Sequence, residues 1–199
     1  MSWRDHIVAY IHEQAQPPDK FSHQARLYHL TRKIGEGLTY DDDIVFAAAW
    51  MHDLGVFIGH RPEDPVELAH WDCVAYAMHM TPEILAKLGF PHAKIAAVVE
   101  AIRTHQPQAE PKTQEGLILR DADILEQLGA VNIMRMFAKV GRDTRYQTFS
   151  DALAVLQKCL NTLPPQLRLE NARTLAQPRI RILMDFLQAA RQEADGQPL

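Results

Sequence analysis

Apolar residues recur along this chain at three- and four-residue intervals, and no stretch alternates apolar and polar positions between hairpin turns. That periodicity predicts a nearly all-α protein. Prolines and glycines punctuate it. A first helix over 3–15 ends at Pro17 and Pro18, and a second over 21–37 stops at Gly35 and Gly37. Asp41, Asp42 and Asp43 supply an N-cap and first-turn negative charge for a third helix, which runs through Trp50 into the segment HDLG, with Gly55 as its C′ residue. A loop over 58–65 leads to a helix over 66–80, and Thr81 before Pro82 predicts a fresh N-cap and a short helix ending at Leu88. Further helices are expected over 92–105, 115–128, 130–138 and 149–161, and a last one from Leu167 to Ala194 with an interruption at Pro178. With no internal repeat or low-complexity linker, 1–199 is expected to form one domain: a single compact helical bundle with its core at 20–140 and C-terminal helices over 148–194 packing on it.

Composition narrows what such a domain does. Hydrophobic residues make up 47% and charged residues 23%, enough for a packed interior. The formal charge of -4 provides no broad electropositive field, which argues against nucleic acid as a partner and makes any phosphate site a local one. The longest unbroken apolar run, at 44–51, is far shorter than the roughly 18 residues a membrane helix needs. The opening residues Trp3, Arg4, Asp5 and His6 lack the basic-then-apolar layout of a secretory signal, so a cytoplasmic location is expected. Cys73 and Cys159 then read as free thiols.

The ten histidines are the compositional oddity, and their positions carry more than their number. His23, Leu27, Leu30 and Ile34 share one helical face, so His23 points inward, whereas His29 shares its face with Lys33 and Gly37. His52 and Asp53 end the apolar segment IVFAAAWM, where an uncompensated charge is expensive, and together they offer a neutral nitrogen and an anionic oxygen suited to a divalent ion. The segment LILRDADILEQLGA carries Asp121 and Asp123. A helical wheel built on Leu117, Ile118, Leu125 and Leu128 puts Asp121 near the apolar centre and Asp123 away from it.

Taken together, HQARL, AAAWMHDLG, AIRTH and RDADILEQLGA resemble the HD-domain metal-dependent phosphohydrolases over residues 20–140. The resemblance implies an all-α helical bundle of the HD type. It also implies a divalent metal ion (Mn, Fe, Co, Ni, Zn or Mg) held by His23, His52, Asp53 and Asp123, the last standing in an Ala-Asp pair as is usual in the family. Asp121 remains the alternative that the wheel favours. Val56 and Phe57 stand where some family members carry a glutamate or an acidic pair, so the likeness does not extend to those activities.

Around this centre, His105 is expected to face the site as a substrate contact or proton carrier beside the stripe of Ile95, Val98 and Ile102, and His70 or His79 could add a ligand. Arg26, His60, Arg61, Lys139, Arg142 and Arg145 are the candidate phosphate contacts, the arginines because their fork matches two phosphate oxygens. Asp53 would bind the ion and orient a water, and His105 or Arg26 would meet a small phosphorylated substrate, a nucleotide or another phosphoester. Two other functions fit the same scaffold: a di-iron oxygenase using His70 or His79 with His105, and a ligand-binding module without turnover. Oligomeric state is not written in the sequence.

Overall fold

A helix that is apolar on every side is stable in water only when it is surrounded, and the residues at 44–51 are all buried. They belong to α3 (Asp42–Met51) of the computed structural model, which describes residues 1–142 and 146–197. Among the described residues the chain forms ten α-helices and no strand, with a lone bridge between Ile58 and Arg61. It is the all-α architecture that the spacing predicts. No helix among the described residues is long and apolar enough to cross a membrane.

The chain divides into two compact units, Met1–Ala122 and Asp123–Leu199, with the boundary inside α7 (Gln114–Glu126). In the first unit α3 packs against α1 (Trp3–Gln14), α2 (Asp19–Ile34) and α6 (Ile95–Arg103), and α6 also packs against α5 (Cys73–Lys87). Charges fix the start of α3. Asp41 caps it by accepting from the Asp43 N–H at 3.0 Å. Arg4 of α1 reaches Asp42 at 2.8 Å and Asp43 at 2.6 Å, its guanidinium lying 4.6 Å from the Phe46 ring centroid. Lys94, just before α6, reaches Asp41 at 2.8 Å and Asp43 at 2.7 Å. Lys94 is the larger influence, with Arg4 behind it, in holding the Asp43 carboxyl below its usual range against the opposing effect of burial. With its N-terminus tied to two neighbouring elements, α3 presents its C-terminal residues in a fixed place.

Two proline expectations are corrected. The break falls at His70, Trp71 and Asp72, between α4 (Pro65–Ala69) and α5, where the Asp72 carboxylate accepts from the N–H groups of Val74 and Ala75 at 3.0 and 2.9 Å. Helix α5 then runs straight through Pro82. Thr81 caps nothing; its hydroxyl donates back to the Ala77 carbonyl at 2.7 Å. Proline removes one helical hydrogen bond, and burial of Ala77, Thr81, Ile84 and Leu85 outweighs that local penalty.

In the second unit α8 (Gly129–Phe137), α9 (Phe149–Thr162) and α10 (Glu170–Ala194) pack on one another, burying Ala152, Leu156, Ala176, Leu183 and Leu187. Pro178 does not interrupt α10, whose buried residues lie on both sides of it. Thr148 and Asp151 form a reciprocal capping box at the start of α9.

Candidate metal centre

His23 sits on the inward face of α2 with Leu27, Leu30 and Ile34, and it is only 3% exposed. His52 is the C-cap of α3, and Asp53 leads into the tight turn Leu54–Val56. The chain therefore supplies one imidazole from the side of a helix, and a second imidazole and a carboxylate from the end of another. His23 Nε2 lies 3.6 Å from Asp53 Oδ2, and His52 Nε2 lies 3.6 Å from Asp53 Oδ1. The three ligand atoms all lie within 4.8 Å of one another, close enough for one ion to reach each of them.

Two of the histidines are set by the same local device. His52 Nδ1 lies 3.0 Å from the Ala49 carbonyl and His105 Nδ1 lies 2.6 Å from the Ile102 carbonyl, each three residues upstream. A carbonyl only accepts, so both Nδ1 atoms carry a proton and Nε2 is the ring atom left to face an ion or a proton. The His52 ring centroid is 5.4 Å from that of His23 and 5.0 Å from that of His105. His105, which ends the stripe of Ile95, Val98 and Ile102, is thus the neighbour of the three-ligand group rather than a member of it.

Burial by itself would raise the Asp53 carboxyl, but His52, then His23, Lys20 and His105 overcome it and hold the group well below the usual carboxylate range. The carboxylate is anionic at neutral pH, and its side chain keeps 20% of its surface open while both imidazoles are nearly closed off. A divalent ion fits this donor set: two neutral nitrogens and one anionic oxygen, converging, with access on the carboxylate side.

The turn that carries Asp53 is held from outside. The Trp71 indole N–H donates to the Gly55 carbonyl at 2.7 Å. A Cβ on Gly55 would meet backbone atoms of Cys73, its carbonyl oxygen nearest, its Cα at 2.6 Å and its carbonyl carbon at 2.9 Å. The expectation of a C′ glycine is thus corrected: Gly55 lies inside the 3-10 turn without a positive φ, and the approach of the α5 backbone is what requires it.

Asp121 is fully buried and pairs with Arg120 Nη1 at 3.3 Å, Arg120 itself being 2% exposed. The same guanidinium donates through Nε at 3.1 Å, and through Nη2, to the Pro107 carbonyl two residues beyond His105. Asp123 belongs to the second unit, is half-buried, and accepts from Gln127 Nε2 at 3.1 Å. The wheel's ordering of the two aspartates by depth agrees with their burial.

Of the other candidates, Arg26 is half-buried and donates to Ser22 at 2.9 Å. His60 uses both ring nitrogens, Nε2 toward Gln14 Oε1 at 2.8 Å and Nδ1 toward the Tyr76 hydroxyl at 3.0 Å, and Arg61 beside it is half-buried. His70 caps the end of α4 at the break in the expected 66–80 helix and is exposed. His79 is exposed on α5. Lys139 and Arg142 lie in the second unit, Lys139 5.5 Å from the Tyr146 ring centroid and Arg142 exposed, while Arg145 falls outside the described residues. Sequence reasoning passed over Lys20, Gly55 as a packing site and Trp71. Lys20, three residues before His23, was the one with a readable signal.

Comparison with known proteins adds a lineage. The family model for the HD domain matches residues 21–128. No curated protein matches the sequence. Among solved structures, Bacillus subtilis YpgQ in complex with ADP is 25% identical, with 98% of this chain and 96% of that one covered and a TM-score of 0.74. A predicted HD superfamily hydrolase from an uncultured Thermotogales bacterium is 24% identical over 95% and 91% of the two chains, with a TM-score of 0.65. An HD-superfamily hydrolase from Bacillus thuringiensis is 21% identical over 98% and 97%, with a TM-score of 0.68. The last two likenesses are likenesses of fold.

Proposed function

Because the chain belongs to the HD domain family, we propose that it is a metal-dependent phosphohydrolase acting on a nucleotide or another small phosphoester. The observation that carries this is the convergence of His23, His52 and Asp53, two imidazoles and one carboxylate with ligand atoms within 4.8 Å of one another. Asp123 is the proposed fourth ligand. The complex of YpgQ with ADP supports a nucleotide as the substrate class.

When bound, a divalent ion lowers the pKa of a coordinated water and polarises a phosphoryl oxygen. The protein's own groups do the rest. His52, with its Nδ1–H donated to the Ala49 carbonyl, would hold the ion through Nε2, and His23 would hold it from α2. Asp53, anionic throughout the neutral range, would hold the ion and orient a water beside it. His105, with its tautomer set by the Ile102 carbonyl, takes or returns a proton at Nε2, and Arg26 meets the phosphoryl oxygens.

Protein purified without chelator is expected to contain a stoichiometric divalent metal. It should release phosphate from members of a nucleotide and sugar-phosphate panel when supplied with Mn, Co, Ni or Mg. Asp53→Ala should lose that metal-stimulated activity, and wild-type turnover in the variant would refute the assignment.

A further inference from the structure

The ion and its ligands leave little charge with which to draw a polyanion. Two neutral imidazoles and one carboxylate leave a divalent ion with a single net positive charge, and a second carboxylate such as Asp123 would cancel it. With Arg26 assigned to the reacting phosphoryl group, a substrate carrying a phosphate chain therefore needs a second cation from the protein beside the centre.

Lys20 has the required position. It lies one turn before His23 on α2, so the two side chains leave the same side of the helix. It is half-buried, and its charge acts on the Asp53 carboxylate. Among the described residues no carboxylate comes within ion-pair distance of its ammonium group and no side-chain hydrogen bond engages it. Helix stability gives no reason for a lysine here, since a cation in the first turn opposes the helix dipole. The cations Arg4, Lys94 and Arg120 of the same unit, by contrast, are each committed to carboxylates.

We propose that Lys20 is the anion anchor of this site, binding a non-bridging oxygen of the substrate's phosphate chain while the reacting phosphoryl group is held at His23, His52 and Asp53. The assignment rests on the phosphohydrolase reading above. It adds a residue that touches substrate and that sets a preference for two or more linked phosphates over one.

The test uses the full-length protein with Mn2+ and ADP as probes, read by calorimetric titration. Lys20→Ala should weaken ADP binding to the Mn2+-loaded protein by roughly 10- to 100-fold, the size expected for losing one charge-assisted hydrogen bond. AMP binding should fall much less. Mn2+ binding should move the opposite way, tightening by about 2- to 5-fold because a like charge is gone from its surroundings. Lys20→Arg should restore ADP affinity to near the wild-type value. Unchanged ADP affinity in Lys20→Ala, or a parallel loss of Mn2+ and ADP affinity as from a structural defect, overturns the proposal. Wild-type protein that binds Mn2+ but not ADP refutes the nucleotide reading itself, and the anchor with it.

Discussion

Replacing Gly55 with alanine should damage the metal centre without touching a ligand. The added Cβ would sit 2.6 Å from the Cys73 Cα and 2.9 Å from its carbonyl carbon, closer than real Cβ contacts come. The obstructing atoms are main chain of the first turn of α5, so no rotamer change relieves the overlap; either the 54–56 turn or the start of α5 must shift. Overpacking costs about 1–3 kcal/mol, and rigid neighbours place this case near the upper end. For a chain of this size that corresponds to a fall in melting temperature of roughly 5–10 °C. Because Asp53 is two residues away and the Trp71 hydrogen bond lands on the Gly55 carbonyl, Mn2+ affinity should fall about tenfold or more, as when a supporting contact of a metal ligand is lost. Calorimetric melting in chelator followed by Mn2+ titration measures both. Gly37→Ala is the comparison: it has φ +76 and nothing within 4 Å, so only backbone strain of about 1 kcal/mol applies and Mn2+ binding is untouched. Melting within a degree of wild type and unaltered Mn2+ affinity in Gly55→Ala would show that the close approach constrains nothing.

Two more expectations follow from polar groups, one half-buried and one buried. Burial pushes the His60 imidazole down, so its neutral form is the folded one; the stability it contributes is complete above the ordinary histidine value and drains away as the pH drops from there toward its lowered value. Urea midpoints in chelator should thus fall between pH 7.5 and 5.5, and by less in His60→Gln; equal slopes would remove His60 from the account. Arg120→Met leaves Asp121 in the interior without its guanidinium, for which a cost of about 3–5 kcal/mol is expected in urea unfolding at pH 7. A loss under about 1 kcal/mol would mean that Asp121 enters the fold protonated or already satisfied.

Most helices were legible because their faces repeat cleanly: α1, α2, α3, α6, α8 and α9 lie within a few residues of where spacing and caps put them. Prolines misled. Pro82 and Pro178 carry strong local signals for a stop, but local propensity competes with burial on the same helix, and in both places burial prevails. The helix expected over 66–80 is instead broken at His70, Trp71 and Asp72, where the Asp72 carboxylate starts a new helix that spacing alone does not reveal. His23, His52 and Asp53 were readable because each had an anomaly: a titratable group on an apolar face, or a charge closing an apolar run. Gly55 was misread because close backbone packing between residues distant in the chain leaves no trace in local sequence. Lys20 looks like any surface lysine until its place in the first turn is set against the helix dipole.

Arg120 grips the loop after His105 by a main-chain carbonyl, that of Pro107. Every residue type presents the same acceptor there. The span between α6 and α7 can therefore exchange its side chains, and with them the shape and polarity offered to an incoming molecule, while the imidazole beside it stays anchored. Relatives that share this clasp could diverge in what they accept by editing one short stretch, with the ion-holding residues left as they are.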